Sequence, residues 1–314
     1  MIHQELGLFL RDITDLGKID LHSHSTASDS STTPDEVMQL ATTNQLNFIA
    51  LTDHDTIDGI TTIIDQYPTL EKFLQNSKKD YSWLLEQIKL DLLPDNPLLI
   101  PGVELSVIFE NQEIHLLAYF SGQKIKNLNP FLEEQRTLRY QRNSRLIKRL
   151  HQLNIPIPED ELEPTSDQPV TGRVKTARWL LENEYVTSIN QAFKEYLAEG
   201  KPAYVPRERV SLESALEIIA ATEGFPVIAH PHQYGWCESK QLLAQKIEKL
   251  TSLSQIGIEV YHSDATLIQQ KTLLNLAQEL NLPYTAGSDF HGINKEKHEL
   301  YSCHDNPDNF YGKK

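Results

Sequence analysis

Seven short apolar runs recur along the chain, most of them ending on or beside histidine, aspartate or glutamate. They are KIDLH (18–22), NFIALT (47–52), LLIPGVE (98–104), EIHLLAYF (113–120), FPVIAH (225–230), IGIEVY (256–261) and PYTAGS (283–288). Runs of this length and β-branched content predict strands. Helical patterns separate most of them. TPDEVMQLATTNQ offers Thr33 as N-cap and Pro34 in its first turn, and SLESALEIIAATEG starts at Ser211 and stops at Gly224. ATLIQQKTLLNLAQELN places Leu267, Leu273, Leu274, Ala277 and Leu280 on an apolar stripe. Strand alternating with helix predicts an α/β fold on a mainly parallel sheet.

Two segments break the alternation. Residues 56–97 separate the second and third strands, and the amphipathic YSWLLEQIKLDLL within them predicts one or two extra helices. Residues 122–209 hold the long helical pattern NPFLEEQRTLRYQRNSRLIKRLHQLN, a proline-rich break, and the shorter patterns RVKTARWLLENEY and INQAFKEYLAEG. The expected organisation is an N-terminal extension at 1–17, a first part of the α/β fold at 18–121, an inserted helical domain at 122–209, and a second part with a C-terminal tail at 210–314.

In an α/β barrel the C-terminal strand ends meet at one mouth. His22 and His24 follow the first strand, with Asp29 shortly after; Asp53 and His54 follow the second, and Glu104 ends the third. His230 ends the fifth, Glu259 lies near the end of the sixth, and Asp289 and His291 follow the seventh. His115 lies inside the fourth strand and need not share that end. Each piece has a bland reading: a histidine pair on a surface, a satisfied core imidazole, an aspartate capping a turn. Together, on separate strands, they converge too consistently for those readings. Imidazole and carboxylate without thiolate suit Zn²⁺, Mn²⁺ or Fe²⁺. So many ligands exceed the needs of one ion, so two or three ions sharing a carboxylate are expected, an arrangement suited to in-line displacement at phosphorus.

The ordered set DLHSHSTASDS, ALTDHDT, PGVELS, IHLLAY, IAHPH and AGSDFHG resembles the successive motifs of the PHP (polymerase and histidinol phosphatase) phosphoesterases. The resemblance implies a distorted seven-stranded (β/α) barrel with an inserted helical domain. It implies a first metal site of His22, His24, Glu104 and Asp289, with Glu104 bridging to a second ion held by His115 and His230. Asp29, His54 and His291 would hold a third. Glu104, Asp289 and His230 are the residues expected to bear most directly on catalysis, and manganese is the expected metal, ahead of zinc or iron. Two positions depart from the family pattern: Ser30 stands where glycine is common, and Lys175 where histidine is usual.

The inserted segment resembles that of the subgroup acting on nucleotide 3′,5′-bisphosphates and 5′-phosphorylated oligoribonucleotides. It carries Arg136, Arg139, Arg142, Arg145, Lys148 and Arg149 in a chain of net charge −15. Arg142, Arg145 and Arg149 have the spacing of one helical face, and Arg173 and Lys175 lie on the next helix. Arg142, Arg145, Arg173 and Lys175 are the expected phosphate-binding residues. The expected partner is a nucleotide or a short 5′-phosphorylated RNA, with no membrane and no obligate protein partner. The acidic total argues against a broad nucleic-acid surface. A histidinol-phosphate or other small-molecule phosphomonoesterase is the alternative, and a non-catalytic PHP-type binding module is another. A metal-dependent amidohydrolase would call for a lysine at a strand end, and none is seen. His232 and His262 are candidate proton donors. Two cysteines, Cys237 and Cys303, and the lack of a basic, apolar leader at the start predict a cytoplasmic protein.

Overall fold

A computed structural model describes residues 2–16, 18–94, 96–163, 172–206, 210–295 and 298–300, with side chains of the first helix from residue 4 onward. Thr171, Cys303 and the tail 301–314 lie outside the described residues. The strands are β1 (Ile19–Ser23), β2 (Phe48–Leu51), β3 (Leu98–Phe109), β4 (Gln112–Tyr119), β5 (Val210–Ser211), β6 (Phe225–Ile228), β7 (Gly257–His262) and β8 (Tyr284–Gly287). The sheet runs β1-β2-β3-β4-β6-β7-β8, and the two-residue β5 pairs only with β3. Its two ends meet: His24 N–H donates to the Phe290 carbonyl at 2.9 Å and Asp289 N–H to the His22 carbonyl at 2.8 Å. The result is a nearly closed, distorted barrel of seven mixed strands with helices around it.

The distortion has a local cause. β3 pairs with β4, and β4 with β6, in antiparallel fashion, whereas the other ladder neighbours are parallel. No helix joins β3 to β4. The chain turns at Glu110 and Asn111, both with positive φ (49° and 65°), which suits a tight two-residue hairpin. β3 also continues past Glu104 through the apolar LSVIF. Because β4 runs backwards, the early part of β4 lies beside the late part of β3, and His115 is in register with Ser106. An antiparallel strand thus delivers its ligand to the mouth from the strand interior.

The N-terminal extension is a helix, Ile2–Leu16, that buries Leu6, Phe9, Leu10 and Ile13. It covers the strand starts. Phe9 meets Phe48 edge-on at 5.6 Å, and the Tyr284 hydroxyl donates to Asp15 at 2.7 Å. Gly7 lies against the Phe225 ring, where a Cβ would come within 2.4 Å of the ring carbons. Among the described residues, 56–97 hold three helices rather than one or two: Asp58–Ile63, Leu70–Ser77 and Tyr81–Lys89. The first is too short to show a helical period in sequence.

The chain separates into two compact units, Met1–Asn129 with Val210–Lys314, and Pro130–Arg209. The turn Gln123–Leu128 folds with the barrel unit, burying Ile125 and Leu128, so the helical unit starts at Pro130. That unit has its own apolar cluster, including Leu146, Leu150, Ile157, Leu180 and Leu197. Its helices are Asn129–Gln152, Arg173–Glu182 and Ile189–Ala192, the last running on into Phe193–Leu197. Among the described residues no helix is long and apolar enough to cross a membrane.

Candidate metal centre

β1 and the residue that follows it present His22 and His24 on one side, as the alternation of extended backbone requires. Gly287 makes room for this: a Cβ on it would lie 2.2 Å from the His22 Cβ. The loop carrying Asp29 is tied down by Asp53, whose carboxylate accepts from Ser25 N–H (2.7 Å), Ser25 Oγ (2.7 Å) and Ser28 Oγ (2.6 Å). Asp55, with φ 52°, accepts from Ser106 N–H at 2.9 Å and fixes the turn bearing His54. Asp53 and Asp55 therefore shape the loops around the ligands. His230 and Asp289 both sit at positive φ (29° and 56°), a backbone uncommon outside glycine that re-aims each side chain at its strand end.

All nine predicted ligands come together around Glu104, which is fully buried. Its two oxygens serve different neighbours. Oε1 lies 2.8 Å from His115 Nδ1 and 3.1 Å from His230 Nε2. Oε2 lies 3.2 Å from His22 Nε2, 3.2 Å from His24 Nε2 and 3.1 Å from His54 Nδ1. Asp289 Oδ1 is 3.3 Å from His24 Nε2 and 3.6 Å from His22 Nε2. Asp29 is 3.1 Å from His291 Nε2 and 3.9 Å from His54 Nε2.

Two residues outside the predicted ligand set complete the centre. Glu259 Oε1 meets His22 Nδ1 at 3.0 Å, and its Oε2 accepts from His230 N–H at 2.7 Å. A carboxylate on Nδ1 holds the His22 ring so that Nε2 faces the cluster. His291 is oriented likewise, its Nδ1 donating to the Asp289 carbonyl at 2.8 Å. The sequence marks Glu259 as a strand-end acid but not its bracing of two other strands. Lys295 pairs with Asp289 from the turn after β8, and no sequence pattern signals it.

The electrostatics are those of groups held for a cation. Burial would raise the Glu104 carboxyl, but His54, His22 and His115 hold it well below the usual carboxylate range. Burial would lower His24, yet the Asp289 and Glu104 carboxylates beside it lift it to about 9. Burial drops His54 to about 3 despite Glu104 and Asp29. Burial also takes His232 down to about 4, which leaves it neutral near pH 7 and a poor proton donor. The fit to a metal is direct. Both His24 ring nitrogens and His230 Nδ1 are buried without a hydrogen-bond partner, and the ligand atoms of His24, Asp29, His54 and His291, and of His22, His24, Glu104 and Asp289, lie within 4.8 Å of one another. Buried imidazole and carboxylate atoms at such spacing are completed by divalent ions.

The four predicted phosphate-binding residues belong to the helical unit. Arg142 is buried, whereas Arg145 and Arg149 are exposed, so the predicted common face is divided. Within that unit the Arg173 guanidinium lies 5.9 Å over both the Phe193 and Tyr204 rings, and Lys175 is 3.9 Å from Glu161.

A barrel with a histidine-carboxylate cluster at its strand ends has the make-up of a metal-dependent hydrolase. The PHP domain model matches residues 20–263, and the chain belongs to that family. The 5′-3′ exoribonuclease of Haemophilus influenzae is 31% identical over 87% of this chain and 90% of that protein. The 3′,5′-nucleoside bisphosphate phosphatase of Chromobacterium violaceum is 28% identical over 88% of both. A Chromobacterium violaceum structure described as an amidohydrolase with bound sulfate and no metal matches with a TM-score of 0.68, 26% identity and 90% coverage of each chain. The protein is a metal-dependent phosphoesterase.

Proposed function

We propose that this phosphoesterase hydrolyses a phosphate ester of a nucleoside 3′,5′-bisphosphate or of a 5′-phosphorylated oligoribonucleotide, in the cytoplasm. The carrying observation is the division of Glu104, whose two oxygens each serve a separate set of imidazoles. His22, His24, Asp289 and Glu104 would hold one ion, and His115, His230 and Glu104 a second. A third is assigned to Asp29, His54 and His291, and manganese is the metal proposed. Divalent ions in such a site supply an activated water and Lewis acidity towards phosphoryl oxygens. Glu104 sets the separation of two ligand sets and offsets the repulsion between their ions. Glu259 keeps His22 Nε2 facing inward. Water gives up a proton and its oxygen bonds to phosphorus, the ester P–O bond breaks, and the leaving alkoxide takes up a proton to become the alcohol. The substrate class is supported by the relatives named as an exoribonuclease and a bisphosphate phosphatase. Arg142, Arg145, Arg173 and Lys175 are proposed to choose substrates with a second phosphate.

The test is phosphate or nucleotide release by the purified protein with Mn²⁺, over a panel of a nucleoside 3′,5′-bisphosphate, a 5′-phosphorylated oligoribonucleotide, histidinol phosphate and an aryl phosphate. Preference for the first two is expected. Preference for histidinol phosphate or the aryl ester would move the protein to the small-molecule phosphomonoesterases.

A further inference from the structure

The two oxygens of Asp289 face different chemistry. Oδ1 lies among the ring nitrogens of His22, His24 and His291, at 3.6, 3.3 and 3.3 Å. Oδ2 pairs with the Lys295 ammonium and faces His262 Nε2 at 3.5 Å. The Lys295 side chain is partly exposed, while His262 is fully buried.

The His262 ring has its proton fixed. Asp264 N–H donates to His262 Nδ1 at 3.0 Å. A ring nitrogen that accepts a hydrogen bond carries the lone pair, so the proton sits on Nε2. The turn supplying that N–H is itself held: His298 Nε2 is 2.8 Å from the Asp264 carboxylate, and His298 Nδ1 is 3.3 Å from the Asp289 carbonyl. Nε2 of His262 has no hydrogen-bond partner among the described residues, and Oδ2 of Asp289 at 3.5 Å is the carboxylate oxygen it faces. The same tautomer argues against His262 as a ligand, although its ring lies in one group with His22 and Glu259. Its Nδ1 lone pair is used, its Nε2 carries hydrogen, and His22 Nδ1 is engaged by Glu259.

We propose that His262 is a positioning residue whose fixed Nε2–H engages Oδ2 of Asp289 and presents Oδ1 alone to a cation. The proposal rests on reading the cluster as a metal centre. A carboxylate free at both oxygens can take a cation through either or both. Held at one, it has a single orientation.

The test is Mn²⁺ affinity by chelator competition for the unaltered protein and for His262→Leu, His262→Asn and His262→Gln. Glutamine places an amide N–H near the Nε2 position, and asparagine is too short to reach it. Loss of an outer partner of a metal ligand costs roughly tenfold to a hundredfold in affinity. Leu and Asn are expected to weaken binding by about tenfold or more, and Gln to stay within about threefold. The Asn and Gln pair keeps the comparison if Leu does not fold. Equal affinity across the series would overturn the proposal, and so would a Gln variant as weak as Asn, since packing rather than the N–H would then be responsible. Absence of Mn²⁺ binding by the unaltered protein would instead overturn the metal centre itself.

Discussion

Glu104 is the residue on which the centre turns. Its amide would keep the shape but lose the charge that five imidazoles face. Loss of an outer partner costs at most about a hundredfold, so Glu104→Gln is expected to cost more than about a hundredfold in kcat/KM and to lower metal content. Near-normal turnover and metal content would refute the bridging assignment. Protons matter at the same scale. His24 is raised to about 9, so near neutrality its imidazole holds a proton that an ion must displace. Apparent Mn²⁺ affinity is therefore expected to rise from pH 6.5 to 8.5, with protons released to the medium on binding. A flat profile in chelator competition would show that His24 does not bind the ion.

Elements set which residues can meet. Gly287 closes β8 against β1, and a Cβ there must push into His22. Gly287→Ala is expected to cost about 1–3 kcal/mol in stability, with metal affinity falling as well. Gly7 makes a similar contact with Phe225 at the opposite barrel end. There alanine gains about 1 kcal/mol of helix propensity against about 1–3 kcal/mol of overpacking. Gly7→Ala should thus lower the melting temperature modestly and leave metal content unchanged. Melting curves and metal analysis of the two variants separate the two ends of the barrel.

The strands were legible in the sequence because each is a short apolar run between polar turns, and the ligands because they follow those runs. The β3–β4 hairpin was not, since Glu104 reads as a strand end until LSVIF is seen to continue it. Glu259 was visible as an acid, but its contacts with β1 and the turn after β6 depend on strand order, which no local pattern encodes. The helix Asp58–Ile63 spans too few residues for a period to show.

The whole molecule joins a metal-bearing barrel unit to a helical unit that carries many of its arginines. Arg142 is buried, and its loss would mix fold with function. Arg145 is exposed and is the cleaner probe. One charge-assisted phosphate contact is worth about 1.5–3 kcal/mol. Arg145→Ala is accordingly expected to raise KM roughly tenfold to a hundredfold for a nucleoside bisphosphate, with aryl phosphate hydrolysis unchanged. Equal losses on both substrates would place Arg145 in the fold or at the reacting phosphate, and no loss on either would leave it a solvated surface charge. The most direct test of the account is the number of Mn²⁺ ions bound per chain, measured by elemental analysis after saturation and desalting. Two to three ions are expected, lost together with phosphate release when a chelator is added. One ion or none, with phosphate release intact in chelator, would contradict it.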